Sequence, residues 1–227
     1  MNRSTRMDAI AQRLSEIRSD LPSGVTLIVV TKNFPVSDVE ILFELGERDF
    51  GENRVQELVA KRESLPAEMN DEITWHFQGQ IQSNKTALLN RFADVIHSID
   101  SEKAIERISP DREVFLQVNL DADTTSTSRA GIDPTDLEEF SRLMVARFAG
   151  NFLGLMAVAP HFDGITTSEI SESFERLHSL SRKVQAIAPG AKAISAGMSD
   201  DYRLALSHGA THIRLGSSIL GQRAPKA

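Results

Sequence analysis

From residue 26 onward, short runs of apolar and β-branched residues alternate with longer stretches whose apolar positions recur every three or four residues. That alternation is the mark of parallel strands joined by crossover helices. The strand-like runs are TLIVVT (26–31), DFGE (49–52), TWHFQG (74–79), DVIHSI (94–99), EVFLQVNL (113–120), FLGLMAV (152–158), AKAISAG (191–197) and HIRLGS (212–217). Between them helical spacing predicts segments over 36–46, 54–64, 84–92, 101–108, 134–148, 167–188 and 200–208. The sixth of these is the clearest, with Ile170, Phe174, Leu177, Leu180, Val184 and Ile187 on one face and charge on the other. Ahead of the first strand, Ile10, Leu14, Ile17 and Leu21 mark a further amphipathic helix, closed by Pro22 and Gly24. Seven helices follow seven strands, and the N-terminal helix is left to fill the vacant place in the outer ring. The pattern predicts a single α/β domain over residues 1–227, a closed (β/α)8 TIM barrel with an additional N-terminal helix; an open doubly wound sheet is the structural alternative.

Composition narrows the chemistry. With 41% hydrophobic residues among 227, the chain can bury a substantial single core. A net charge of -7 argues against a general polyanion binder, so no nucleic-acid partner is expected. The absence of cysteine excludes disulfides, thiolate metal sites and cysteine nucleophiles, and the six histidines show no HExxH-type ligand spacing. The N-terminus is polar and lacks an apolar signal core, and no run approaches the roughly 20 apolar residues of a membrane span. A soluble, cytoplasmic protein with no membrane partner is the expectation.

In barrels of this kind the chemistry gathers at the C-terminal ends of the strands. There the sequence places Lys32 and Asn33, GENR (51–54), HFQGQIQSNK (76–85), SAGMSDD (195–201) and RLGSSILG (214–221). The loops after the seventh and eighth strands supply Ser195, Gly197, Ser199, Gly216, Ser217 and Ser218, which suit either tight turns or a phosphate bound by backbone N–H groups and hydroxyls. Lys32 reads either as a solvated charge or as a Schiff-base amine whose neutral form is favoured by partial burial and neighbouring cations. If a phosphate sits across the barrel mouth, the second reading makes the ligand pyridoxal phosphate. In HIRLGS the alternation sends Ile213 and Leu215 to one face and Arg214 to the other, into the barrel. Its guanidinium then needs a partner, either an inward carboxylate or the acceptor nitrogen of a pyridine ring. The pairs Asp121/Asp123 and Asp200/Asp201 read as loop solvation and helix N-terminal charge before acid/base or metal work.

The stretches VVTKNFP, FGENRVQEL, WHFQGQIQSNK, VNL, GLMAVAP, SAGMSDD and THIRLGSSILG run in order from the first strand to the last. In this combination the sequence closely resembles the pyridoxal phosphate homeostasis proteins, the YggS/PROSC family, which share the barrel of the alanine racemase N-terminal domain. The resemblance implies that Lys32 carries the cofactor as a Schiff base. It implies that Asn53 and the segment containing His76 line the pocket around the ring, and that Ser195, Gly197, Met198, Gly216 and Ser217 hold the phosphate. It also implies that Arg214 faces the pyridine nitrogen; since an arginine does not give up its proton, the ring should stay unprotonated and act as a weak electron sink.

Three departures stand out: Gln78 where the family usually has an apolar residue, Ala196 where methionine is common, and DADTTSTSRAG (121–131), a hydroxyl-rich loop with no glutamate and with Arg129 in place of a family lysine. The expected function is intracellular pyridoxal phosphate homeostasis: storing, buffering or delivering the cofactor, with PLP-dependent apoenzymes as recipients and without efficient turnover. The alternatives are a PLP-dependent amino-acid racemase and a barrel enzyme acting on another phosphorylated metabolite. Two-base racemisation commonly draws a tyrosine from a second domain; this chain stops just past its last strand, and its one tyrosine, Tyr202, lies beside the presumed phosphate loop. A complete site within one chain makes a monomer the expectation.

Overall fold

A computed structural model describes residues 2–121, 130–161 and 164–222. The elements run α1 (Arg3–Asp20), β1 (Thr26–Val30), α2 (Val36–Glu44), β2 (Asp49–Glu52), α3 (Val55–Ser64), α4 (Ala67–Asn70), β3 (Thr74–Phe77), α5 (Thr86–Phe92), β4 (Val95–Ile99), α6 (Glu102–Arg107), β5 (Glu113–Gln117), α7 (Leu137–Phe148), β6 (Phe152–Met156), α8 (Thr167–Ile187), β7 (Ala193–Ser195), α9 (Tyr202–Ser207), β8 (His212–Leu215) and α10 (Ser217–Leu220). The eight strands pair in parallel and in sequence order, and β8 closes on β1, so the barrel is shut and the open sheet is excluded. Most of the 121–131 loop, Asp123 and Arg129 included, lies outside the described residues.

Parallel pairing puts register partners on the same face of the sheet. Val30 pairs Gly51, Gly51 pairs His76, Ile28 pairs Arg214 and Ser195 pairs His212, and all of these point into the barrel. The alternate positions Val29, Phe50, Trp75, Ile213 and Leu215 face the helices and belong to the main apolar core. Beside Ile28 and Val30, the interior holds a small apolar cluster of Val95, Phe115 and Met156. Where barrels usually stack branched aliphatic side chains, this one also stacks buried polar ones, His76, His97, Ser195 and Arg214 among them.

Helix α1 takes the vacant place in the outer ring, as the count of elements predicts. It buries Ile10, Leu14 and Ile17. Arg6 donates twice to Asp38 on α2 and once to the carbonyl of Leu220, and Arg13 donates to the carbonyl of Ile219. The first helix thus ties α10, the last described helix, to α2. The sequence reading misses α4 and α10, and β5 and β7 are shorter than their apolar runs suggest.

Candidate functional site

A cavity of about 200 Å³ opens at the C-terminal ends of β1 and β8, with Lys32, Gln78, Met198, Arg214 and Ser217 on its walls. Lys32 continues the inward register of Ile28 and Val30 past the end of β1. The chain then turns sharply: Phe34 N–H donates to the Thr31 carbonyl, and Asn33 takes a left-handed conformation at φ 63°, which asparagine tolerates well. A buried ion pair fixes that turn from behind. Lys61 on α3 binds Glu52 and donates to the Thr31 carbonyl at 2.7 Å, while the Thr31 hydroxyl donates to the same carboxylate. Burial raises the Glu52 carboxyl above its ordinary range, although Lys61 and Thr31 oppose the shift. The peptide preceding Lys32 is therefore held by hydrogen bonds that do not involve the cavity.

Arg214 rises from β8 at the floor of the cavity and is almost wholly buried. Its Nη1 donates to Ser195 Oγ at 2.7 Å and its Nη2 to the Ala157 carbonyl at 2.9 Å. Burial lowers its pKa to about 10, with the charge of Asp201 acting the other way, so it remains a cation at neutral pH. Two contacts leave part of its five-donor fork available to a ligand.

The loops after β7 and β8 meet at the cavity rim. Gly197 turns with φ 95°, and a Cβ there would stand 2.9 Å from Tyr202 Cα and from Ala205 Cβ, so glycine lets α9 pack onto the end of β7. The Met198 N–H is taken by the Asp201 carboxylate at 2.6 Å, and burial raises that carboxyl. Ser199 Oγ gathers the hydroxyls of Ser217 at 3.2 Å and Ser218 at 3.1 Å, joining the two loops through three hydroxyls. A larger cavity of about 1040 Å³ lies between α7 and α8, walled by Leu137, Leu180 and Val184 with mixed charges, and shares no lining residue with the first.

The match to known proteins spans the whole barrel. The alanine racemase N-terminal domain family matches residues 5–224. A protein of Mycobacterium bovis named pyridoxal phosphate homeostasis protein is 36% identical over 222 residues, covering 88% of this chain and 83% of its own length. This chain belongs to the pyridoxal phosphate homeostasis proteins. The family member of Pasteurella multocida is 31% identical across 94% of this chain and 97% of its own. The structure of PipY of Synechococcus elongatus, described as having PLP bound, is 37% identical, superposes with a TM-score of 0.78, and is covered over its whole length by 93% of this chain. Alanine racemase of Corynebacterium glutamicum shares the fold at 14% identity with a TM-score of 0.68, this chain spanning 62% of it.

Of the residues that the family resemblance singles out, Lys32, Met198, Arg214, Gly216 and Ser217 line the cavity in this member of the family. The others stand behind that wall. Ser195 is fully buried, and its hydroxyl meets Arg214 and His97 below the floor. Gly197 shapes the rim loop, and Asn53 follows β2 half-buried, with its carbonyl packed against Gly79. His76 lies one register step deeper than the cavity wall, between Asp49 and His97. Gln78, a departure within the segment expected to line the pocket, is on the wall, and its Nε2 is buried with no hydrogen-bond partner among the described residues. Two-residue alternation from His76 would have placed it there.

Proposed function

We propose that this chain binds pyridoxal phosphate as a Schiff base on Lys32 and serves as a store or donor of the cofactor, without efficient turnover of its own. The observation that carries the reading is that Lys32 and Arg214, from the first and last strands, stand on one cavity. The residues present fit the group. The amine of Lys32 suits its aldehyde carbon, the spare donors of Arg214 suit the lone pair of its ring nitrogen, and the hydroxyls of Ser199 and Ser217 suit its phosphate. Gln78 Nε2 adds a buried donor whose missing partner a polar ligand would supply.

When bound, the cofactor supplies an electrophilic carbon and a conjugated ring that delocalises charge. Arg214 limits that second property, because a guanidinium donates a hydrogen bond without transferring its proton. Tyr202, the one tyrosine in the sequence, turns away from the cavity and sets its hydroxyl 3.3 Å from Asp20 of α1. Neither arrangement favours two-base racemisation. Under the same proposal the protein acts as a cytoplasmic monomer, with PLP-dependent apoenzymes as recipients and no nucleic-acid or membrane partner. The experiment is gel filtration of the protein loaded with pyridoxal phosphate, followed by a racemase assay on alanine and by transfer to a PLP-free apoenzyme. Retention of the cofactor near 25.1 kDa, activation of the apoenzyme and no racemisation at enzyme rates are expected. Racemisation at enzyme rates would make the alternative function correct.

A further inference from the structure

Five polar side chains from five strands form an unbroken line through the barrel. Asp49 Oδ1 lies 2.9 Å from His76 Nε2, His76 Nδ1 lies 2.9 Å from His97 Nε2, and His97 Nδ1 lies 2.9 Å from Ser195 Oγ. Arg214 Nη1 completes the line at 2.7 Å from the same hydroxyl. At one end Asp49, its side chain 34% exposed at the start of β2, reaches solvent. At the other end Arg214 forms the floor of the Lys32 cavity.

The two ends and the single O–H of Ser195 together set the direction of the bonds between them. A guanidinium only donates and an ionised carboxylate only accepts. Ser195 Oγ accepts from Arg214, and, because it is fully buried, its own O–H needs an acceptor; among the described residues the one in reach is His97 Nδ1. His97 Nδ1 is then bare, so its proton sits on Nε2 and points at His76 Nδ1. That nitrogen accepts in turn, and the His76 proton sits on Nε2 and faces Asp49. One hydrogen occupies each link, and neither ring carries a second. An added proton on either imidazole would set donor against donor inside the line.

At His97 the surroundings keep it out. His97 is stacked on Phe115 at 4.5 Å between ring centres, and burial, together with the nearby His76, Arg214 and His212, holds its pKa well below the ordinary value. Packing alone would be better served by apolar side chains, because a buried polar line stabilises only when every member is satisfied.

We propose that His76 and His97, with Asp49 and Ser195, are positioning residues for Arg214: a one-way hydrogen-bond line, both rings neutral with the proton on Nε2, that aims the guanidinium at the ring nitrogen of the ligand. The ligand in this statement rests on the proposed function; the line itself rests on the geometry.

Long-range proton–nitrogen correlation spectra of the full-length protein labelled with ¹⁵N-histidine, with and without pyridoxal phosphate, test the tautomers directly. Spectra of His76→Gln and His97→Gln assign the two rings. Both are expected to be neutral and protonated on Nε2 at neutral pH, and a doubly protonated ring or an Nδ1–H tautomer at either would overturn the proposal. The positioning role is read from the cofactor. His76→Leu leaves the His97 Nε2–H without an acceptor, and it is expected to weaken pyridoxal phosphate binding about tenfold and to displace the visible band of the bound form. His76→Gln can accept from His97 and donate to Asp49, and should restore both properties. A leucine variant with wild-type affinity and band would sink the positioning role and leave the proposed function standing. A wild type that takes up no pyridoxal phosphate would sink the proposed function and the target of Arg214 together.

Discussion

Two buried groups near Lys32 make opposite contributions to stability. Lys61 and Glu52 are both almost fully buried, and their pair holds the Thr31 carbonyl. Removing one partner strands a buried charge. Lys61→Met is therefore expected to destabilise the fold by about 4 kcal/mol, while the double change Lys61→Met, Glu52→Leu recovers much of that loss; urea unfolding of both variants measures it. Gln78 works the other way, since its buried Nε2 donates to no atom of the described protein and is crowded against Gly51, where even a Cβ would come within 2.2 Å. Replacing it by the apolar residue usual in the family, Gln78→Leu, should stabilise the protein without cofactor by about 1 kcal/mol. The same change should weaken retention of pyridoxal phosphate. A variant that loses stability and keeps its affinity would show that the amide is satisfied within the protein.

At the level of elements, two arginines of α1 close the outer ring, and Arg6 is the one that also meets a buried carboxylate. Arg6 reaches Asp38, whose side chain is 4% exposed, and the carbonyl of Leu220 at the end of α10. Arg6→Ala leaves Asp38 buried without that cation and should cost about 3 kcal/mol, read from the denaturation midpoint. Gly197→Ala forces a side chain into a left-handed turn against α9 and should cost about 2 kcal/mol while disturbing the rim of the cavity. Strands and long helices are legible in the sequence because each must bury a face: the runs at 26–31 and 74–79, and the stripe from Ile170 to Ile187, carry their periods openly. Helices α4 and α10 have four residues each, too few to show a period, and SSIL follows β8 so closely that Gly216 and Ser217 read as its continuation. The strands β5 and β7 end early because Val118 and the residues after Ser195 leave the barrel wall for the loops, while remaining buried and apolar enough to look like strand.

For the whole molecule, the polar interior ties stability to pH. Burial, followed by the neighbouring His76, lowers the pKa of His212 from 6.5 to about 4, against the opposing charge of Asp49. The unfolded chain thus takes up the proton first, so this contribution is present above pH 6.5 and disappears as the pH falls toward 4. Glu47, Glu52, Asp100 and Asp201 are shifted upward mainly by burial and act with the opposite sign, gaining stability on acidification. A difference isolates the histidine: between pH 7 and pH 5 the wild type should lose about 2 kcal/mol more unfolding free energy than His212→Gln. The cavity was legible in the sequence because Lys32 and the Gly/Ser loops sit at strand ends, where the fold makes its sites. The line from Asp49 to Arg214 was not legible, because its members come from five strands and meet only once the pairing register is known. His76 was drawn toward the ring by its motif neighbours, whereas its register places it beneath the floor.

Under the proposed function, the amine at the end of the first strand and the guanidinium on the last hold one molecule of pyridoxal phosphate. The visible absorption spectrum of the purified protein with added cofactor, before and after borohydride and beside Lys32→Ala, tests it most directly. A yellow band that borohydride abolishes and the alanine variant lacks is the expected result. A wild type that stays colourless, or a variant with the same borohydride-sensitive band, would contradict the assignment of Lys32.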